Sequence, residues 1–194
     1  DTGYDANEDD EIPNGALSGK YSLVSLVLPD RLLRIGGQQG GGEGRGAFSG
    51  CENLSGSLVI PEGVVEIGPA AFRDCYSLTG TLSLPSTLKI LGDITKPRED
   101  DGPFYNCGFV CKLLLPESLE VIGNGCFGQC KGLYGELRLP EHVKEIGNNA
   151  FDGCVNMTGS LVIPQGITDI HESCFRGMGL NGTLTLHDGI NTIG

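Results

Sequence analysis

The chain has 194 residues, 32 of them Gly, no Trp, and a formal net charge of −12. That charge argues against duplex nucleic acid, whose binding rests on Lys and Arg neutralising phosphates, and against docking on an anionic membrane surface. No segment approaches the roughly 18 apolar residues of a membrane span, and no secretory n-region and h-region is recognisable, so the expectation is a well-solvated extracellular or periplasmic protein.

In chain order, residues Asp1–Asn14 are acidic and polar. The stretch 1–20 is expected to be an N-terminal tail or polar cap, and 21–194 a single repeat domain. Self-similarity then dominates. Ser57–Gly80 reads SLVIPEGVVEIGPAAFRDCYSLTG, and Lys112–Gly135 and Glu136–Gly159 match it slot for slot. Ser160–Gly182 is one residue short, Thr183–Gly194 is a half copy, and Ser25–Gly56 and Thr81–Cys111 carry the same slots with insertions.

Each slot has a physical reason. The x-L-x-[IL] segment alternates apolar and variable positions, the period of a half-buried strand. Leu58 and Ile60 are expected to face inward, Ser57 and Val59 outward. Pro61 lacks an N–H and ends the strand. Val64 and Ile67 form a second short inward stretch, and Gly68 allows the turn that follows. Ala71 and Phe72 are expected to begin a short helical turn that places Phe72 and Cys75 on one face. One such unit cannot bury its apolar side alone, whereas stacked units can. Phe48, Phe72, Phe104, Phe127, Phe151 and Phe175 would then form one interior ladder, taking six of the seven Phe residues. At about 4.8 Å per strand, some six and a half rungs of about 24 residues would span roughly 30 Å.

The string L-x-I-P-x-x-V-x-x-I-G-x-x-A-F-x-x-C resembles the BspA-like, or type 5, leucine-rich repeat, over about Ser25–Gly194. The resemblance implies a right-handed leucine-rich-repeat solenoid of short β-strands and short helical turns. It also implies a secreted or surface-attached bacterial binding protein. It supplies no catalytic residues, because the motif is structural. The extra Gly in Leu-x-Gly (Gly56, Gly80, Gly135, Gly159, Gly182) departs from the usual family repeat.

Several residue sets mimic chemistry. Cys51, Cys75, Cys107, Cys130 and Cys154 all lie three residues after the ladder Phe, and Cys126 and Cys174 replace the small residue before it. They read as buried apolar thiols. Cys111 matches no slot, and a Cys107–Cys111 bridge stays open. Cys107-x-x-x-Cys111 with Cys126-x-x-x-Cys130 imitates a zinc site, but the spacing is not the common one and repeat slots already explain Cys126 and Cys130, as they do Cys107. His142, His171 and His187 occupy unrelated slots. No G-x-S-x-G elbow occurs, and Gly40–Gly46 lacks the Lys-Ser/Thr of a phosphate loop. Neither an enzymatic centre, nor a cofactor, nor a metal is expected.

Two surfaces are candidates for binding. Gly68 to Ala71 spans three positions, but Gly36 to Ala47 and Gly92 to Pro103 each span eleven. Both insertions leave the array at one edge, two rungs or roughly 10 Å apart. The first carries Gln38, Gln39, Glu43 and Arg45. The second carries Lys96, Arg98, Glu99, Asp100 and Asp101, whose acids read as a solvated acidic turn. The other surface is the outward strand face, Val59, Ser83, Leu114, Arg138, Val162 and Thr185. The expected function is non-enzymatic, adhesion-type recognition of a host or partner protein. The alternative is an architectural spacer holding another domain away from the cell. The half rung ending at Gly194 carries no polar cap, which leaves room for end-to-end or edge association there.

Overall fold

The computed structural model describes residues 10–36, 46–95 and 100–194. It is a parallel β-solenoid in which each turn of chain lies directly on the one before. Among the described residues twelve two-residue strands carry the pairing, and every pair is parallel.

The most continuous wall runs through the second inward stretch, not through the x-L-x-[IL] segment. Its strands are β1 (Glu11–Ile12), β2 (Arg34–Ile35), β4 (Glu66–Ile67), β6 (Ile90–Leu91), β7 (Val121–Ile122) and β8 (Glu145–Ile146), joined in that order. β10 (Asp169–Ile170) and β12 (Thr192–Ile193) pair in the same slot. The x-L-x-[IL] segments pair only in fragments, β3 (Leu58–Val59) with β5 (Leu82–Ser83) and β9 (Leu161–Val162) with β11 (Leu184–Thr185). Between those fragments, among the described residues, only the single bridges Lys112–Tyr134 and Gly135–Met157 occur. The chain register explains part of this break: Phe109 lies two residues after Cys107, where Leu78 lies three after Cys75, so this copy enters its strand one residue early.

The expected helical turn does not form; no helix occurs among the described residues. The reason lies in the hydrogen bonds around Phe72. Ala71, Arg73 and Cys75 donate their N–H groups three residues back, to Gly68, Ala70 and Phe72. The alternate N–H groups of Ala70, Phe72 and Asp74 point the other way and donate to Asp101, Pro103 and Tyr105 of the adjacent rung, at 2.7, 2.7 and 2.9 Å. An α-helix would use all six internally. Left-handed backbone at Ala70 (φ 54°) and Asp74 (φ 60°) turns every second amide outward along the stack. The arc is therefore a third hydrogen-bonded wall, and buried amides are satisfied between rungs.

The interior columns are as the slots require. The Phe rings stack from Phe48 to Phe175 with centroids 5.0–5.8 Å apart and planes within 17° of parallel. Offset stacking of this kind adds about 0.5–1.5 kcal/mol per pair beyond area burial. Phe109 takes the Leu78 position and meets Phe104 edge-on at 5.9 Å. Leu17 continues the ladder towards the N-terminus: its N–H bonds the Ala47 carbonyl, as that of Phe48 bonds Ala71. All eight cysteines are free and buried. Those of the main column each donate to the carbonyl one rung back, Cys75 to Phe48, Cys107 to Phe72, Cys130 to Phe104 and Cys154 to Phe127, at 3.0–3.3 Å.

Candidate functional site

Strand alternation alone puts the six outward positions on the surface. Val59, Leu114 and Val162 are 63%, 76% and 55% exposed, and Ser83, Arg138 and Thr185 are exposed too. Val59 sits beside Ser83, and Val162 beside Thr185, in register. Leu114 and Arg138 flank a groove of about 420 Å³, shared with Lys112, Leu115, Glu117 and Glu136. This groove lies where the x-L-x-[IL] strands are not paired, so the break in the sheet and the exposed Leu114 coincide.

Of the inserted loops, Gln38, Gln39, Glu43, Arg45, Lys96, Arg98 and Glu99 lie outside the described residues. Asp100 and Asp101 do not form a solvated turn. Asp101 is buried, and both acids meet Arg73, one rung away. Arg73 Nη2 donates to Asp100 Oδ2 at 2.6 Å and Nη1 to Asp101 Oδ1 at 3.3 Å, while Nε lies 3.2 Å from Asp74 Oδ2. A single guanidinium thus ties the returning end of the second insertion to the body of the stack, the geometry for which a planar, multi-donor cation is suited.

Beyond Asp100 the same edge carries a polar column. Asn106 donates to Asp74 at 2.9 Å. Gln129 donates to Asp152 Oδ2 at 3.0 Å, and Arg176 grips Asp152 with Nε at 2.8 Å and Nη2 at 2.9 Å. The Arg176 bonds, chiefly, hold the Asp152 carboxyl below the usual carboxylate range. Burial and the neighbouring Asp100 push the Tyr105 hydroxyl up. Asp100, Tyr105, Gln129, Asn149, Asp152 and Arg176 line a cleft of about 430 Å³. Sequence reading did not single out this column beyond Asp100. Its signal was there, since Arg73, Tyr105, Gly128, Asp152 and Arg176 all follow the ladder Phe by one, a slot that varies in type and so gives no consensus.

Among the described residues no cluster of three or more His, Cys, Asp or Glu has the geometry to hold a metal ion, and no helix is long and apolar enough to cross a membrane. Burial raises the thiols of Cys107, Cys126 and Cys130 well above their ordinary value, which disfavours the thiolate that a nucleophile or a metal ligand needs.

Short parallel strands stacked on unbroken Leu, Ile and Phe columns define a leucine-rich-repeat solenoid. The model of the BspA-type leucine-rich repeat region matches six copies over residues 10–95 and 100–194, and the chain belongs to that family. Among solved structures it is similar to a T. pallidum leucine-rich-repeat protein, at 27% identity and a TM-score of 0.68, covering 88% of this chain and 73% of that one. A leucine-rich cell surface protein from Faecalibacterium prausnitzii A2-165 aligns at 22% identity and TM-score 0.59, over 86% of this chain and 48% of its own. A leucine-rich-repeat protein from Bacteroides ovatus aligns at 22% and 0.51, over 94% and 54%. These two, each about twice as long as the matched portion, show the fold alone. No curated protein matches the chain.

Proposed function

We propose that this solenoid is a non-enzymatic recognition module of a secreted or surface-attached protein, and that it holds a host or partner protein through the outward strand face and the inserted loops. The observation that carries this reading is the strand face itself. Val59, Leu114 and Val162 stand in water on a wall whose inward positions are filled by Leu58, Leu113 and Leu161, and the charges of Lys112, Glu136 and Arg138 surround Leu114. Apolar side chains ringed by polar ones on an extended repeat surface are the ordinary layout of a protein contact. The two insertions branch from the same slot of the repeat, after Gly36 and Gly92, and loops of that kind commonly carry binding. Membership of the BspA-type family supports the extracellular placement.

The test compares the intact chain with a Val59→Glu, Leu114→Glu, Val162→Glu triple variant in binding to a panel of immobilised extracellular-matrix proteins. All three positions are exposed, so melting should be unchanged. Saturable binding by the intact chain, lost in the triple variant, is the expected result. Background-level retention of both proteins across the panel would instead favour a spacer that holds another domain away from the cell.

A further inference from the structure

We infer that the polar cleft beside the second insertion is a binding site for a single neutral pyranose residue of a glycan, separate from the protein-binding strand face. Two backbone features build it. A Cβ on Gly128 would lie 2.8 Å from Tyr105 Cδ2, and one on Gly153 would lie 2.7 Å from the Gln129 amide nitrogen. Each glycine therefore lets a side chain of the preceding rung lie flat along the stack. Tyr105 reclines over Gly128, and Gln129 over Gly153 towards Asp152. Side chains that would otherwise project outward become the walls of a cleft of about 430 Å³, within the range of about 300–1,000 Å³ usual for small-ligand sites.

The chemistry of those walls selects the ligand. Tyr105 is half-buried, so its ring offers an apolar face with a polar tip. Asp152 Oδ2 accepts from both Gln129 and Arg176, but Oδ1 accepts from Arg176 alone, and a carboxylate oxygen has two lone pairs. Asn149, 4% exposed, lines the cleft, and its Nδ2 has no hydrogen-bond partner. A buried amide donor left unpaired carries a free-energy cost that a turn of the amide towards an incoming acceptor removes. The cleft wall thus combines an aromatic ring, a carboxylate with lone pairs to spare and, just beneath the surface, an unsatisfied amide donor. A pyranose has the matching set, a C–H face and hydroxyls that both donate and accept.

Charge argues against the other small ligands. Asp100 and Asp152 are each already bound to an arginine, so a cation would have to displace those partners, while the net charge of −12 disfavours an anion.

The test is saturation-transfer NMR on the whole chain, using the methyl glycosides of glucose, galactose, mannose and N-acetylglucosamine, with methyl sialoside as the anionic comparison. At least one neutral glycoside should show saturable transfer. That transfer should fall at least fivefold in Tyr105→Ala and in Asp152→Asn, and persist in Leu114→Glu. Should either of the first two variants fail to fold, Arg176→Ala replaces it, because that side chain is 63% exposed. Absence of transfer from every neutral glycoside, transfer from the sialoside alone, or transfer undiminished in folded variants would each overturn the inference. Loss of matrix binding in the strand-face variant would leave the sugar result untouched, so the two readings fail separately.

Discussion

The Cys130 thiol donates to the Phe104 carbonyl at 3.0 Å, one rung back along the stack. Phe104 stacks on Phe127 at 5.5 Å, and Cys130 follows Phe127 in sequence by three. The aromatic column and the thiol column therefore brace each other, and the repeated F-x-x-C spacing has a hydrogen-bonding reason as well as a packing one. Replacing Cys130 by Ala removes the sulfur from a fully buried position and should cost about 1–2 kcal/mol. Serine keeps a donor in place and should recover part of that loss. Urea unfolding of the two variants, compared at constant m-value, measures the difference.

Alkaline pH should weaken the fold through the same column. Burial pushes the Cys51 thiol from 9.0 to about 11 and the Cys154 thiol from 9.0 to about 12. The unfolded chain ionises first. The contribution of these thiols is thus complete below pH 9 and is lost as pH rises through about 11 to 12. Thermal melts stepped across that window should show Tm falling, with a shallower fall in a Cys51→Ala, Cys154→Ala variant. An identical decline in both proteins would refute a thiol origin.

Gly102 closes the second insertion where two rungs nearly touch. A Cβ there would sit 1.9 Å from the Gly125 carbonyl oxygen, and Gly46 stands in the same relation to Ala70 at the end of the first insertion. Because the obstacle is backbone, no side chain can swing away. Gly102→Ala should destabilise by about 1–3 kcal/mol, as overpacking does. Gly56→Ala is the comparison, since a Cβ there meets nothing within 4 Å and only the left-handed φ of 86° opposes it.

Glu66 is a buried acid on the outer side of the longest wall. Its Oε2 lies 3.4 Å from Arg34 Nε, while Oε1 is buried without a hydrogen-bond partner. Burial outweighs Arg34 and pushes the carboxyl above its ordinary value. A raised folded value favours the protonated form, so this group's contribution is complete below the ordinary value near 4.5 and is lost as pH rises through the folded value. Glu66→Gln, which mimics the protonated acid, should stabilise the protein at pH 7 by about 0.5–1 kcal/mol. That gain should vanish near pH 4. Denaturant titrations at the two pH values decide it.

Much of the architecture was legible because a stack multiplies each local signal. Leu, Ile, Phe and Cys recur at fixed spacing, and only an interior column demands the same residue type every 24 positions. The Phe ladder and the inward Leu58 and Ile60 follow from that periodicity. The arc after Gly68 was misread as helical because Ala71 and Phe72 suit a helix locally. What overrode them was the neighbouring rung, whose carbonyls at Asp101, Pro103 and Tyr105 take every second amide. The acids Asp100 and Asp101 were misread as solvated for a similar reason, since their partner Arg73 lies in a different repeat, 27 and 28 residues away.

By itself, then, the sequence determined the columns: which side chains are interior, how often they recur, and that the chain must stack. Only the tertiary structure decided the contacts between rungs, namely the continuous wall through Glu66–Ile67, the clasp of Arg73, and the cleft in which Tyr105 and Gln129 recline over Gly128 and Gly153. Periodicity fixes what each rung buries, because burial depends on residue type at a slot. Contacts along the stack depend on pairs of non-identical residues one rung apart, and a consensus averages such pairs away.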